Sequence, residues 1–251
     1  MARELENKVA VITGASRGLG KAMAELFADE GAKVVLLDLK QHWAQTAADE
    51  IVARGGDAIG LAADVSDRDA VAAAMADCVT RHGRVDILVN NAMWNRYDPL
   101  EDITPETFAR MTGVGLAGIV WGMQAAAPHM ASGSSIINIG SMAGRLGSRG
   151  SILYSAVKAG VDGLTRAASV ELGPKGIRVN AIAPSTVATE GVLAILSEDN
   201  LALRVEQTPL GRLGETTDIA QTALWLAGER ASFITGQSIA VDGGIGHRLG
   251  R

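Results

Sequence analysis

Tyr154 and Lys158 stand four residues apart in the stretch Ser151-Ile152-Leu153-Tyr154-Ser155-Ala156-Val157-Lys158. On a helix that spacing stacks both side chains on one face, one turn apart. A free phenol titrates at about 10, too high for a base near neutrality. A cation held beside it stabilises the phenolate and lowers that value. The pair therefore reads as a device for moving a proton on and off a hydroxyl, with Lys158 depressing the Tyr154 pKa. The bland alternative is a partly buried tyrosine beside a solvated lysine. What separates the two is whether the rest of the chain supplies a reaction that needs such a pair.

The elements that must position it form a regular alternation. Lys8–Thr13, Lys33–Leu37, Ala58–Ala62, Val85–Val89, Ser135–Ile139, Ile177–Ile182 and Ser238–Val241 are short apolar runs. Helical stretches are expected between them, near Leu19–Glu30, Trp43–Arg54, Arg68–His82, Pro105–Met130, Ser151–Leu172 and Thr217–Ala227. The apolar runs are continuous, as expected for strands covered on both faces by helices. The pattern predicts an α/β fold: one doubly wound, Rossmann-type domain over 1–251, with a parallel sheet of about seven strands. Ala183–Leu213 is the one long irregular stretch, a candidate substrate lid over 183–213.

Thr13-Gly14-Ala15-Ser16-Arg17-Gly18-Leu19-Gly20 joins the first strand to the first helix. Glycines there allow a sharp turn and close approach to a ligand. The following helix amino terminus offers unpaired N–H groups to a pyrophosphate. An ordinary Gly-rich turn would look the same, but Asp38 closes the second strand, where a carboxylate accepts hydrogen bonds from ribose hydroxyls and repels a 2′-phosphate. Leu39 follows it, not arginine, so NAD is expected over NADP, with Arg17 and Lys40 as the nearby cations that a phosphate would need. Asp64-Val65, after the third strand, is expected at the adenine edge.

Composition excludes several alternatives. The net charge is −5 and the basic residues are scattered, so no nucleic-acid footprint is present. A lone cysteine, Cys78, rules out an intramolecular disulfide and a cysteine metal cluster, and no metal site is expected. Met111–Gly144 lacks Asp, Glu, Lys and Arg, but polar residues and a turn interrupt it; a buried helix and strand are expected, not a membrane span. Met1–Lys8 is polar and charged, and a cytoplasmic protein is expected.

Taken in order, Thr13-Gly14-x-x-x-Gly18-x-Gly20, Asp64-Val65, Asn90-Asn91-Ala92, Ser141, Tyr154-x-x-x-Lys158, Arg178-Val179-Asn180-Ala181-Ile182-Ala183-Pro184, Thr189, Ile234-Thr235-Gly236-Gln237 and Val241-Asp242-Gly243-Gly244 resemble the short-chain dehydrogenase/reductase family along nearly the whole chain. The resemblance implies Tyr154 as proton donor and acceptor, Lys158 on the nicotinamide ribose, and Ser141 on the substrate oxygen. It implies a cofactor site of Gly14, Ser16, Arg17, Gly18, Leu19, Gly20, Asp38, Asp64, Val65, Asn91, Ala92, Tyr154, Lys158, Pro184, Val187 and Thr189, with Ile182 beside the nicotinamide. Asn90 would brace the sheet. The implied chemistry is hydride transfer between NAD and a secondary alcohol or ketone, in a homotetramer built through the fourth helix, the fifth helix and the last strand.

The chain departs from that pattern three times. Gly115 aligns with the catalytic asparagine of the family; its carbonyl is kept, and a water is expected in the vacated space. Met93 stands where Asn-Asn-Ala is commonly followed by Gly, and Ser185 where Pro-Gly is usual. Met93, Trp94, Met142 and Leu153 are expected to form an apolar substrate wall, with Arg145, Arg149 or Arg96 available to an anion. The rival readings are an NADPH-dependent 3-oxoacyl reductase and, with Gly115 its only support, a dinucleotide-binding regulator that has lost catalysis.

Overall fold

Continuous apolar strands punctuated by glycine turns dictate the architecture. The structure is a computed structural model describing residues 3–147 and 149–247. In chain order it forms β1 (Val9–Thr13), α1 (Gly18–Asp29), β2 (Lys33–Asp38), α2 (Gln41–Ala53), β3 (Asp57–Ala62), α3 (Arg68–His82) and β4 (Ile87–Asn90). Then come α4 (Pro105–Thr112), α5 (Gly118–Ala126), β5 (Ser135–Ile139), a single turn α6 (Ala143–Leu146) and α7 (Ile152–Leu172). The chain ends with β6 (Arg178–Pro184), α8 (Glu190–Leu193), α9 (Glu198–Gln207), α10 (Thr216–Ala227) and β7 (Ser238–Val241).

The strands make one seven-stranded parallel sheet in the order β3-β2-β1-β4-β5-β6-β7. Alternate residues feed two apolar layers. Ala10, Ile12, Val34 and Leu36 face α1 and α10, packed on Phe27 and Leu224. Val9, Val11, Val35 and Leu37 face the other way, onto Met75, Cys78 and Leu172. Burial on both faces accounts for the continuous apolar runs. Cys78 lies in that second layer, and burial pushes its thiol up to about 11, which makes it inert packing. No helix among the described residues is long and apolar enough to cross a membrane.

Strand order reverses between β1 and β4, which opens a crevice at their carboxyl ends. α7 is pinned beside it by a buried amide chain. Asn90 Nδ2 donates to Asn138 Oδ1 at 2.9 Å, and Asn138 Nδ2 donates to Thr165 Oγ1 of α7 at 3.1 Å. Asn90 thus braces the sheet, as the sequence implies. α10 is held by Arg178, whose guanidinium is buried against the Leu226, Ala227 and Gly228 carbonyls at the helix end.

Two segments depart from expectation. The continuous helix predicted over Pro105–Met130 is broken. A π-turn segment, Gly113–Ala117, separates α4 from α5, and a 3₁₀ turn, Ala127–His129, follows α5. Glycines at 113, 115 and 118 each weaken an α-helix by about 1 kcal/mol relative to alanine, which favours a break here. The lid is also less irregular than expected. Ala183 and Pro184 continue β6, Thr189 caps α8 and Ser197 caps α9.

Candidate active site

At the crevice, the end of β1 is clamped to the exit of β4. Thr13 Oγ1 accepts the N–H groups of Asn91 and Ala92, both at 3.0 Å. Asn91 Nδ2 donates to the Thr13 and Gly14 carbonyls at 2.9 and 3.0 Å. The glycine loop lies so close that side chains are excluded. Gly14 adopts φ +63°, and a Cβ there would stand 2.8 Å from Ala92 Cα; one on Gly20 would stand 2.6 Å from Asn91 Nδ2. The loop then opens onto the amino terminus of α1, where no acidic side chain sits in the first turn and no side chain caps the free N–H groups. Thr189, which caps α8, lies over the loop, its Cγ2 3.8 Å from where a Gly18 Cβ would be.

Asp38 closes β2 facing this loop. Its Oδ2 accepts the Ser16 N–H at 3.1 Å and its Oδ1 accepts the Leu39 N–H at 2.8 Å. Arg17 is exposed and lines a groove with Trp43 and Glu50, whose carboxylate pairs with Lys21. Asp64 is exposed and closes its own turn, accepting from Ser66 N and Oγ. Val65 packs its side chain against Gly118 of α5. The glycine loop, the helix amino terminus and the Asp38 carboxylate fit an adenine dinucleotide.

Ser141, just beyond β5, accepts the Ala143 N–H at 3.1 Å and so starts α6. The hydroxyls of Ser141 and Tyr97 are the hydrogen-bonding neighbours of the Tyr154 phenol. Lys158 is 5% exposed, and its Nζ donates to the Ile139 carbonyl at 2.7 Å. The expected depression of the tyrosine pKa is not what the geometry produces. Burial, reinforced by the Tyr97 phenol and opposed by Ser141, pushes Tyr154 up to about 12. Burial also pulls Lys158 down to about 8. The ammonium is turned onto the Ile139 carbonyl, 5.9 Å from the tyrosine ring centroid, and desolvation outweighs its field.

The apolar wall is partly as expected. Met93, Trp94 and Leu153 join Met111, Val157 and Tyr154 in one cluster. Trp94 is held by the Arg110 guanidinium, 4.3 Å from its ring centroid. Met142 is outside that cluster, buried where a Cβ on Gly246 would stand 2.6 Å from its Cε. Arg145 is not placed for an anionic substrate. Its Nε lies 3.4 Å from Asp162 Oδ2 and its Nη2 donates to the Ser238 carbonyl at 2.6 Å, tying α6 to α7 and β7. Arg96 is paired with Asp98 at 2.9 Å. The space beside Gly115 is filled by Val157 and Met93, not left for a water. Ser185 follows β6 without left-handed backbone, so glycine is not required there. Pro184 accepts the Met142 N–H at 2.9 Å, which sets it beside the Ser141 turn, and buried Val187 bridges to Gly214.

Tyr97 is the residue that the sequence left unassigned. Its ring meets Tyr154 edge-on, centroids 5.4 Å apart and planes at 61°. The available signal was its position in the same loop as Met93 and Trp94, as one of only two tyrosines in the chain.

The family profile described as enoyl-(acyl carrier protein) reductase matches residues 14–246. The trans-4-hydroxycyclohexanecarboxylate dehydrogenase of Sinomonas cyclohexanicum is 39% identical over 244 residues, covering 94% of this chain and 92% of that protein. The 3-oxoacyl-(acyl-carrier-protein) reductase of Staphylococcus aureus is 39% identical over 241 residues, covering 95% and 98%. A short-chain dehydrogenase/reductase from Serratia marcescens superposes with a TM-score of 0.91 at 34% identity, covering 97% of this chain and 99% of that one. Agreement in sequence and in fold over almost the full length of these proteins means that the chain belongs to the short-chain dehydrogenase/reductase family of oxidoreductases.

Proposed function

We propose that the protein interconverts a secondary alcohol and a ketone with NAD(H), using Tyr154 as general acid and base. The observation that carries this is the convergence of the Ser141 and Tyr154 hydroxyls above buried Lys158, at the mouth of the β1/β4 crevice. Bound nicotinamide supplies the hydride donor or acceptor. In ketone reduction the Tyr154 phenol, held protonated by burial, gives its proton to the substrate oxygen. In alcohol oxidation that proton returns to Tyr154. Ser141 holds the substrate oxygen by a hydrogen bond, and Lys158 supplies the positive charge beneath the phenol. The cluster of Met93, Trp94 and Leu153 excludes water from the reacting face.

The apolar wall, with Arg145 and Arg96 already engaged by Asp162 and Asp98, favours an alicyclic ring carrying the reacting oxygen over a strongly anionic substrate. The Sinomonas relative is named for such a ring, trans-4-hydroxycyclohexanecarboxylate, which also carries a carboxylate. Exposed Phe108, Val170 and Phe233 support the homotetramer as part of the same proposal, which light scattering in solution tests.

Michaelis constants with cyclohexanone and each reduced cofactor test the cofactor and substrate class together. Repulsion between Asp38 and a 2′-phosphate is expected to give NADH at least about a tenfold advantage in kcat/KM, equivalent to about 1.4 kcal/mol. A clear NADPH preference with 3-oxoacyl thioesters would instead support the acyl reductase reading, which the Staphylococcus relative and exposed Arg17 favour.

A further inference from the structure

Gly115 is buried at the centre of the π-turn segment between α4 and α5. A Cβ there would stand 2.5 Å from Val157 Cγ1, 2.9 Å from Met93 Sδ and 3.3 Å from Met93 Cε. All three separations are well inside carbon contact distance. Val157 lies on α7 between Tyr154 and Lys158. Met93 comes from the loop leaving β4 and belongs to the same cluster as Trp94, Leu153 and Tyr154. A methionine has three rotatable bonds and goes where space is offered.

We infer that Met93 is a specificity-determining residue whose thioether is seated in the notch left by Gly115, and that this seating limits the substrate space in front of Tyr154. The two departures from the family pattern are then one feature. A larger residue at 115 drives Met93 out of the notch towards Tyr154; a smaller residue at 93 opens the wall. The inference rests on Tyr154 as the reacting centre.

Met93→Ala, Gly115→Ala and the double variant test it, with NADH and either cyclohexanone or 4-phenylcyclohexanone, alongside NADH affinity and Tm. Gly115→Ala is expected to raise KM for cyclohexanone about tenfold, with a smaller change in kcat. Met93→Ala is expected to improve kcat/KM for the two-ring ketone about tenfold relative to the one-ring ketone. In the double variant most of the Gly115→Ala rise in KM disappears, because the two residues are in contact. Strictly additive effects, or an unchanged ketone ratio in Met93→Ala, overturn the inference.

The Tm cycle gives the same answer without turnover. An alanine free of contact would stabilise a helical segment; here Gly115→Ala is expected to lower Tm by several degrees, and Met93→Ala to restore part of that loss. A raised Tm in Gly115→Ala, or an equal loss with and without Met93, refutes the seating. Tyr154→Phe separates the two levels: if it leaves turnover intact the proton path fails, while the coupling of 93 and 115 is still read in Tm.

Discussion

Replacing Lys158 with methionine should stabilise the ligand-free protein while abolishing its activity. The ammonium is buried and donates to the Ile139 carbonyl at 2.7 Å. Burial lowers its pKa from 10.5 to about 8, which at 1.36 kcal/mol per unit is about 3 kcal/mol of cost for keeping the charge in the fold at neutral pH. Methionine fills a similar volume without the charge; losing the charge-assisted hydrogen bond to Ile139 returns about 2 kcal/mol. The net gain is about 1 kcal/mol, or about 2–4 °C in Tm for a chain of this size. The pH dependence has a definite sign. The unfolded lysine stays protonated up to about 10.5, whereas the folded one releases its proton from about 8. Wild-type stability therefore rises with pH across that window, and the advantage of Lys158→Met shrinks towards zero. Thermal unfolding of both proteins at pH 7 and pH 10, without cofactor, reads this directly. A variant less stable than wild type at pH 7, or an advantage that does not change with pH, refutes the desolvation account of Lys158.

Two further predictions concern the phenols. Because burial holds Tyr154 protonated, kcat/KM for alcohol oxidation is expected to climb with pH by about tenfold per unit up to about pH 8, where Lys158 begins to lose its charge, while ketone reduction shows no such rise; a plateau of the oxidation rate below pH 7 would show that the phenol is already ionised. Tyr97→Phe keeps the edge-on ring contact but removes the hydroxyl that raises the Tyr154 pKa, so the oxidation limb is expected to move to lower pH; an unmoved or upward-shifted limb means that Tyr97 does not act on the reacting phenol.

The sheet and its crevice were legible because they depend on local chemistry, and the Tyr154 and Lys158 pair because of its spacing; Ser141 was placed only by the family resemblance. Continuous apolar runs specify two-faced strands, and Gly14 and Gly20 are required by close backbone approach. What was not legible depends on tertiary placement. The opposite sign of the Tyr154 shift follows from burial and from where Nζ points, neither of which the four-residue spacing encodes. Arg145 looked free in the sequence, but Asp162 and Ser238, which claim it, lie on elements brought together only by the fold. The Gly115 notch was read as a water site because its filler, Met93, lies more than twenty residues earlier in the chain. The broken helix over Pro105–Met130 had a signal in its glycines, outweighed by an apolar pattern that continues through the π-turn.

The central claim is that the Tyr154 phenol transfers the proton that accompanies hydride transfer. Its most direct test is Tyr154→Phe, measuring NADH affinity by fluorescence and cyclohexanone reduction at the reduced-nicotinamide absorbance. Loss of a general acid is expected to lower kcat by about 10²–10⁴-fold while NADH affinity stays within about twofold, since each twofold is only about 0.4 kcal/mol. Turnover within a few-fold of wild type, with cofactor binding intact, would contradict the account.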